Sequence, residues 1–593
     1  FGSSSGSREP GSRKGVELLR KPALLAKMPP KGEKAEKAEK AEKAEKAEDK
    51  KAEESGSDSD GSERAPAAEK EKKAPEKKMD VILDSVDFFL GKLKDSIGTR
   101  NVQEIHKLYE ETYNQVKKDH YKSKRFPSVD SVAEQISNEP LFLILYKELY
   151  YRHVYCELQV QYDDRKGSWE NYCKLLDLIC SDLQDGDELS VALPVVWIWD
   201  ILDEFVYHYQ TYCTTRSKVV RSGNDTLMQP YKDNPEVFQT TKVLMYLHQL
   251  VRWSKVEDYL ANKEGGTGAA FTDETTRYIG YFSLMQLLRM HSLLGDYHLA
   301  MKTIQCIDLG VEVPLFYKIP ACHVTLYYYM GFAYLMMRRY ADAIRSFSEI
   351  LVFLSKISGV NSKSYQFEAM VKKQDQMYAL LLISLALSPR QIDDSLEKRI
   401  RTEQQWAEKQ ARLQRGEELC FEELFNYACP KFVAAAPPDF ESMDNFNAQE
   451  AHQRQVKLFL QEMRQQQFLP RIDSYMKLYT AIKTEKLAQL CDMAPDALRD
   501  QLMCVMHKTS QKVRTKGPPL DGESQHCSEV EFYLDGDMVH INAQRTEREH
   551  SDVFLEQIIK FQELLKKMKA NTVAEAEAKT LAVEADAKEA KKR

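Results

Sequence analysis

Cys322-His323 sets a thiol beside an imidazole at the head of an apolar helix. Nucleophilic catalysis needs a base placed against that thiol and an acid orienting the base, in space. Adjacency along the chain supplies neither, and the pair reads as core. Asp203-Glu204 is also adjacent, so its carboxylates leave a helix on different faces and read as solvated surface. The phosphate-cradling patterns GxxxxGK[ST] and GxGxxG do not occur, nor do HExxH, GxSxG or an HxH with a downstream acid for a zinc isopeptidase. No metal, cofactor or catalytic residue is therefore expected, and the chain does not read as an enzyme.

The remaining candidates are binding residues. Lys508, Lys512, Arg514 and Lys516 form a basic strip suited to contact with an RNA backbone. Base reading is not expected from the preceding helix, because Asp496 and Asp500 oppose Arg499 near its start and would repel phosphates. Ser55 and Ser57 lie in an acidic serine cluster that an acid-directed kinase would phosphorylate. Near the end of the chain, Phe554, Ile558, Phe561, Leu565 and Met568 are spaced 4, 3, 4, 3, the heptad seam of a helix that packs in a bundle.

Bulk properties bound these readings. At 593 residues the chain exceeds one ordinary hydrophobic core, and its net charge of −7 opposes general nucleic-acid binding while allowing local basic patches. Eleven cysteines are scattered without a CxxC pair, which suits buried thiols in a reducing, cytoplasmic setting. The longest apolar run, Leu326–Met337, has twelve residues, where a membrane helix needs about 20. Leu18-Leu19 and Leu24-Leu25 are broken by Arg20 and Lys21, unlike a secretory leader, and Met28 reads as the native start.

The elements that must carry these residues are helical. Tyr281–Leu354 superposes on itself at an offset of 43 residues, Leu294 on Met337, Tyr297 on Tyr340, Ala300 on Ala343, Ile304 on Phe347 and Ile307 on Ile350. Each copy is a helix, a tight polar corner (Gly295-Asp296, then Arg338-Arg339) and a second helix. Such pairs bury their apolar faces only by stacking on neighbours, as in a solenoid. Upstream, Asn101 caps a helix with Glu104 three residues on, and Pro140 starts a buried helix. Trp197, Trp199, Phe205, Tyr209 and Tyr212 read as core. Thr214–Asn234 and Asn262–Glu274 read as loops, and charged residues 393–415 lead into a Gln-rich helix over 448–467.

Residues 472–545 change character. Helices over Ile472–Ile482, Thr484–Cys491 and Pro495–Ser510 precede two alternating segments joined at Asp535-Gly536, a hairpin signal. That turn sets Phe532 opposite Val539 and Val530 opposite Ile541 on one face, with Glu531 opposite His540 and Tyr533 opposite Met538 on the other. Three helices and a hairpin make a winged helix. A last helix runs from about Thr546 to Lys569.

The strings GYFSLMQLLRMHSLLGDYHLAMK (280–302), YYYMGFAYLMMRRYADAIRSF (327–347) and FLILYKELYYRHVY (142–155) closely resemble the subunit L family of eukaryotic translation initiation factor 3. The resemblance covers about Val81 to Lys569 and leaves out residues 1–78 and 570–593. It implies a mainly α fold: a right-handed, TPR-like helical-repeat solenoid, then a winged helix forming a PCI module, then a C-terminal coiled helix. The expected division is a disordered extension over 1–78, an N-terminal helical domain over 79–270 and helical repeats over 271–470, with the PCI module from about 335. A winged helix over 471–545, an assembly helix over 546–569 and a flexible tail over 570–593 complete it. The resemblance further implies a non-catalytic scaffold that helps recruit messenger RNA and initiator transfer RNA to the small ribosomal subunit. Subunits K and E would be its nearest neighbours, with other PCI and MPN subunits met through a helical bundle. A PCI subunit of the proteasome lid or signalosome, and a winged-helix RNA-binding regulator, are the alternative readings.

Overall fold

The computed structural model describes residues 83–569 except 186–188, 262–273, 311–313, 358–366, 439, 441–446, 448, 468, 516, 527–529, 544–553 and 556. Ser55, Ser57, the extension 1–78, the tail 570–593 and most of the loop read at Asn262–Glu274 lie outside the described residues.

Helix α1 (Asp84–Gly98) turns Val86, Phe89, Leu90 and Leu93 inward. Asn101 opens α2 (Val102–Lys107) by accepting the Glu104 N–H, as its spacing predicts. A π-helical turn (Leu108–Tyr113) continues into α3 (Asn114–His120), and α4 (Val129–Gln135) follows. Pro140 starts α5 (Pro140–Glu157) where its missing N–H costs nothing. Next come α6 (Tyr162–Asp185) and α7 (Val195–Ser222). The aromatic set from Trp197 to Tyr212 is core: each of the five is buried, and Trp197 stacks on Tyr109 with centroids 4.9 Å apart.

The loop read at Thr214–Asn234 is instead helical. Val206, Tyr209, Cys213, Arg216 and Val220 carry one buried stripe through α7 to Ser222. Thr214 and Thr215 donate their hydroxyls to carbonyls four residues back, those of Gln210 and Thr211. Gly223 then ends the helix at φ +65, and α8 (Asp225–Asp233) follows. Helices α9 (Thr240–Trp253) and α10 (Val256–Ala261) lead to the repeats.

The offset of 43 holds in three dimensions. The first copy is α11 (Glu274–Leu294) and α12 (Tyr297–Thr303), and the second is α13 (Pro320–Met336) and α14 (Tyr340–Ile357). Both corners close through the same pair of backbone bonds. Gly295 and Asp296 donate to Ser292 and His291, and Arg338 and Arg339 donate to Leu335 and Tyr334. This is the Schellman pattern, which requires a left-handed residue past the helix end. Gly295 meets it at φ +84 and Arg338 at φ +62. Helices α13 and α14 approach closely at Gly331, where a Cβ would lie 2.6 Å from the Phe347 ring.

Beyond the repeats, α15 (Phe367–Leu387), α16 (Asp394–Thr402), α17 (Gln404–Gln414), α18 (Glu418–Ala428) and α19 (Glu450–Gln467) complete the solenoid. Residues 393–415 are thus mostly helical, with Leu396, Ile400, Trp406 and Leu413 in the core. One core runs from Val86 to Met463, across residue 271, and a second from Ile472 to Val539.

The second core is the winged helix: α20 (Leu469–Met476), β1 (Ala481–Lys483), α21 (Thr484–Cys491), α22 (Pro495–Thr509), then β4 (Val530–Asp535) and β5 (Met538–Ala543). Two segments between α22 and β4 form a separate hairpin, β2 (Ser510–Val513) with β3 (Glu523–His526). The first helix stops at Met476 rather than Ile482 because 481–483 pairs with β5, which would otherwise leave one ladder edge open. Sheet order is β1-β5-β4. The wing register differs from the expected one by two residues: Phe532 faces Ile541, Val530 faces Ala543, Tyr533 faces His540 and Glu531 faces Asn542. The loop is Gly536-Asp537, with Gly536 alone at positive φ (+56), which matches a type II′ turn. A slip of two keeps every side chain on its face, so Phe532 and Val539 remain buried and Glu531 exposed.

Candidate docking surfaces

Three surfaces of this fold are set by particular residues: the joint between the solenoid and the β2–β3 hairpin, the basic strip beside it, and the last helix.

The joint is built on the second repeat corner. Arg339 is buried, and its guanidinium donates to the carboxylate of Asp342 (Nε–Oδ2 2.8 Å) three residues along α14. It also donates to three carbonyls of the β2–β3 loop, those of Pro519 (3.2 Å), Leu520 (2.9 Å) and Asp521 (3.0 Å). Asp342 is buried as well and accepts the backbone N–H of Arg514 at 3.1 Å, while Arg345 donates to the Arg514 carbonyl at 2.7 Å. Tyr334 donates its hydroxyl to Pro519 at 2.7 Å. A guanidinium offers five donors in a fixed fork, which is why it can bridge a carboxylate and successive carbonyls together. The first corner is covered differently, by Gln455 of α19, which accepts the Tyr297 hydroxyl at 2.7 Å. Sequence reasoning missed this joint. Its one signal was the Arg338-Arg339 corner, standing where the first copy has Gly-Asp.

The basic strip is not a continuous track. Lys508 is buried and donates to Glu462 at 2.5 Å. Lys512 is exposed on β2, Arg514 is half-buried with its backbone bonded into the joint, and Lys516 lies outside the described residues. On the exposed face of α22, Met503 and Met506 stand beside Arg499, which ion-pairs with Asp537 of the wing.

The last helix, over residues 557–569, is the reverse of a buried element. Phe554, Ile558, Phe561, Leu565 and Met568 are all exposed, and so are Leu555, Ile559 and Leu564. Phe554, Phe561 and Met568 each keep more than 60% of their surface in contact with solvent. The apolar surface is therefore wider than the five-residue seam.

The groups first weighed for chemistry are structural. Burial pushes the Cys322 thiol well up and lowers the His323 imidazole to about 3. Both are held neutral, the opposite of an activated thiolate. Asp203 and Glu204 are not solvated surface as expected. Asp203 ion-pairs with Arg289 at 2.7 Å, tying α7 to α11. Glu204 lies 3.5 Å from His208, and burial lifts its carboxyl to about 7 against the pull of Arg152. Sequence could not reveal this, because Arg289 is 86 residues away. Among the described residues no cluster of His, Cys, Asp or Glu has metal-binding geometry, and no helix is long and apolar enough to cross a membrane.

The family model described as RNA polymerase I-associated factor PAF67 matches residues 164–561. Eukaryotic translation initiation factor 3 subunit L of Nematostella vectensis is 40% identical over 82% of this chain and 93% of its own length. The same subunit of Danio rerio is 39% identical over 79% of this chain and 82% of its own. That of Mus musculus is 39% identical over 78% and 83%. This chain belongs to the translation initiation factor 3 subunit L family. The family match begins inside α6, spans the repeats, the joint and the wing, and reaches Phe561 in the last helix. The joint and the first three seam residues are therefore within the family's shared span.

Proposed function

We propose that this member of the subunit L family is a non-catalytic scaffold of translation initiation factor 3. It acts in the cytoplasm and helps assemble the complex on the small ribosomal subunit for recruitment of messenger RNA and initiator transfer RNA. The observation that carries this reading is the last helix. Eight large apolar side chains from Phe554 to Met568 are exposed, and burying each in a bundle gains about 1.5–3 kcal/mol. Subunits K and E are the proposed nearest neighbours, with other PCI and MPN subunits reached through the bundle. Contact with RNA is at most local, because Lys508 is spent on Glu462.

The test is mass spectrometry of proteins that co-purify with a tagged full-length chain, compared with the chain ended at Arg545. Recovery of the other initiation factor 3 subunits with the first and not the second is the expected result. Recovery of RNA polymerase I subunits in their place would replace the scaffold reading by one closer to the family model's description.

A further inference from the structure

A cleft of about 290 Å³ lies where the second repeat corner, the start of α12, α19, the end of α22 and the β2–β3 hairpin meet. Its wall is cationic in a chain of net charge −7. Four of its cations are Arg338, Arg339, Lys508 and Lys512, and its acid is Glu462. Two of the cations are neutralised by their own surroundings, Arg339 by Asp342 and Lys508 by Glu462. Arg338 and Lys512 form no ion pair among the described residues and are exposed to the cleft's solvent.

Among the described residues Arg338 is one of five non-glycines at positive φ, with Arg100, Phe238, Lys255 and Asp492, and it is the one that lines this cleft. It holds φ +62, a left-handed conformation that L side chains disfavour, at the position where the sister repeat has Gly295. Glycine would remove that strain without altering the corner's hydrogen bonds. Here the residue in that conformation is also an exposed cation of the cleft that forms no ion pair among the described residues. A second sign is Gln511, buried in the wall, whose Oε1 has no hydrogen-bond partner. Its amide can turn over to present N–H donors instead. His298 and His507 add further ring N–H donors from opposite sides, one on α12 and one on α22.

We propose that this cleft binds a phosphate monoester, and that the occupant is a phosphorylated serine or threonine of a partner protein. A monoester presents nearly two negative charges and three acceptor oxygens at one point. Donors converging from the corner, α12, α22 and β2 suit a point better than a line. A nucleic-acid backbone carries one charge per phosphate and needs a track, which the burial of Lys508 interrupts. Beside the two imidazoles, the wall's tyrosine ring, Tyr340, is buried and offers no face for stacking a base. The inference is independent of the scaffold reading, since it concerns a different surface from the last helix.

The experiment is ³¹P NMR line broadening with the full chain, using N-acetyl-phosphoserine amide as probe beside uridine monophosphate and dimethyl phosphate. Broadening of phosphoserine at least fivefold greater than that of the diester is expected, with the nucleotide no better than phosphoserine. Arg338→Gly should remove at least four-fifths of the broadening while the melting temperature is unchanged or higher, which separates lost binding from lost folding. Lys512→Gln should act in the same direction, and Arg252→Gln on a distant helix should not. Wild-type broadening in both Arg338→Gly and Lys512→Gln would overturn the proposal. So would equal broadening of monoester and diester. Salt-dependent retention of an oligouridylate by the same residues, without phosphoserine binding, would replace it with an RNA contact.

Discussion

The joint and the last helix solve opposite problems. At the joint the chain buries charge: Arg339 and Asp342 are both removed from water and satisfied by each other and by the loop carbonyls. Over 557–569 the chain exposes apolar surface on every described face. A buried charge is tolerable only when its partners are fixed in advance, so the joint must be completed within one chain. Exposed apolar side chains of this extent call for a cover, and the core formed by the described residues leaves them in solvent. Under the proposed scaffold role, the first contact is internal and the second is left for another protein.

The largest effect that tests this contrast is on assembly. A chain ended at Arg545 should remain folded, with cooperative thermal unfolding, and lose co-purification with the other initiation factor subunits altogether. Precipitation or a broad melt would mean that the helix belongs to the chain's own core.

On the other side of the comparison, Arg339→Ala takes the guanidinium from the carbonyls of Pro519, Leu520 and Asp521 and from the buried Asp342, which keeps only the Arg514 N–H and Arg345. Breaking one side of such a pair costs about 3–5 kcal/mol, read by urea unfolding. Removing both partners, Arg339→Met with Asp342→Leu, should cost less than the single change, because no uncompensated charge is left. Phe532→Asp should unfold the wing by a similar amount or more, since loss of a buried Phe alone costs about 3–5 kcal/mol. Glu531→Lys, on the exposed face, should be tolerated, and equal melts for the two would mean that the strand faces are misassigned.

A smaller effect depends on pH. Because burial lifts the folded Glu204 carboxyl to about 7 from its ordinary value of 4.5, the folded chain binds a proton there that the unfolded chain releases. Its contribution to stability is present at low pH and is lost as pH rises from about 4.5 to about 7. Glu204→Gln should flatten this part of the pH–stability curve, by at most about 1 kcal/mol per pH unit. An unchanged slope would place the titration elsewhere. The smallest effect lies at the repeat corners. Gly295→Ala should destabilise by about 1 kcal/mol, since φ +84 disfavours any side chain and the new Cβ would sit 2.6 Å from Gln455. Arg338→Gly should change stability by less than about 1 kcal/mol, in the favourable direction.

Much of this molecule followed from local pattern. Aromatic residues at helical spacing settle that Trp197, Trp199, Phe205, Tyr209 and Tyr212 of α7 are core, and a run apolar nearly all round settles that α5 is buried, because both patterns are properties of the segment alone. The offset of 43 settles the two corners for the same reason. In the wing, alternation settled that Phe532 and Val539 share a buried face, although it did not settle which residues face each other across the hairpin. That depended on whether Gly536 is the first or the second loop residue, a choice made by backbone φ rather than by hydropathy.

What only the tertiary structure decided is the environment of each charge. By composition Lys508 and Lys512 are equivalent members of a basic strip; one is buried on Glu462 and the other is exposed. Asp203 and Glu204 are an ordinary surface pair until Arg289 and the aromatic core close over them. The loop at 519–521 has no periodicity to read, and its role exists only because Arg339, some 180 residues earlier, is brought beneath it. Periodicity is local, whereas the cost of a charge depends on everything within a few ångströms of it, whichever part of the chain supplied it.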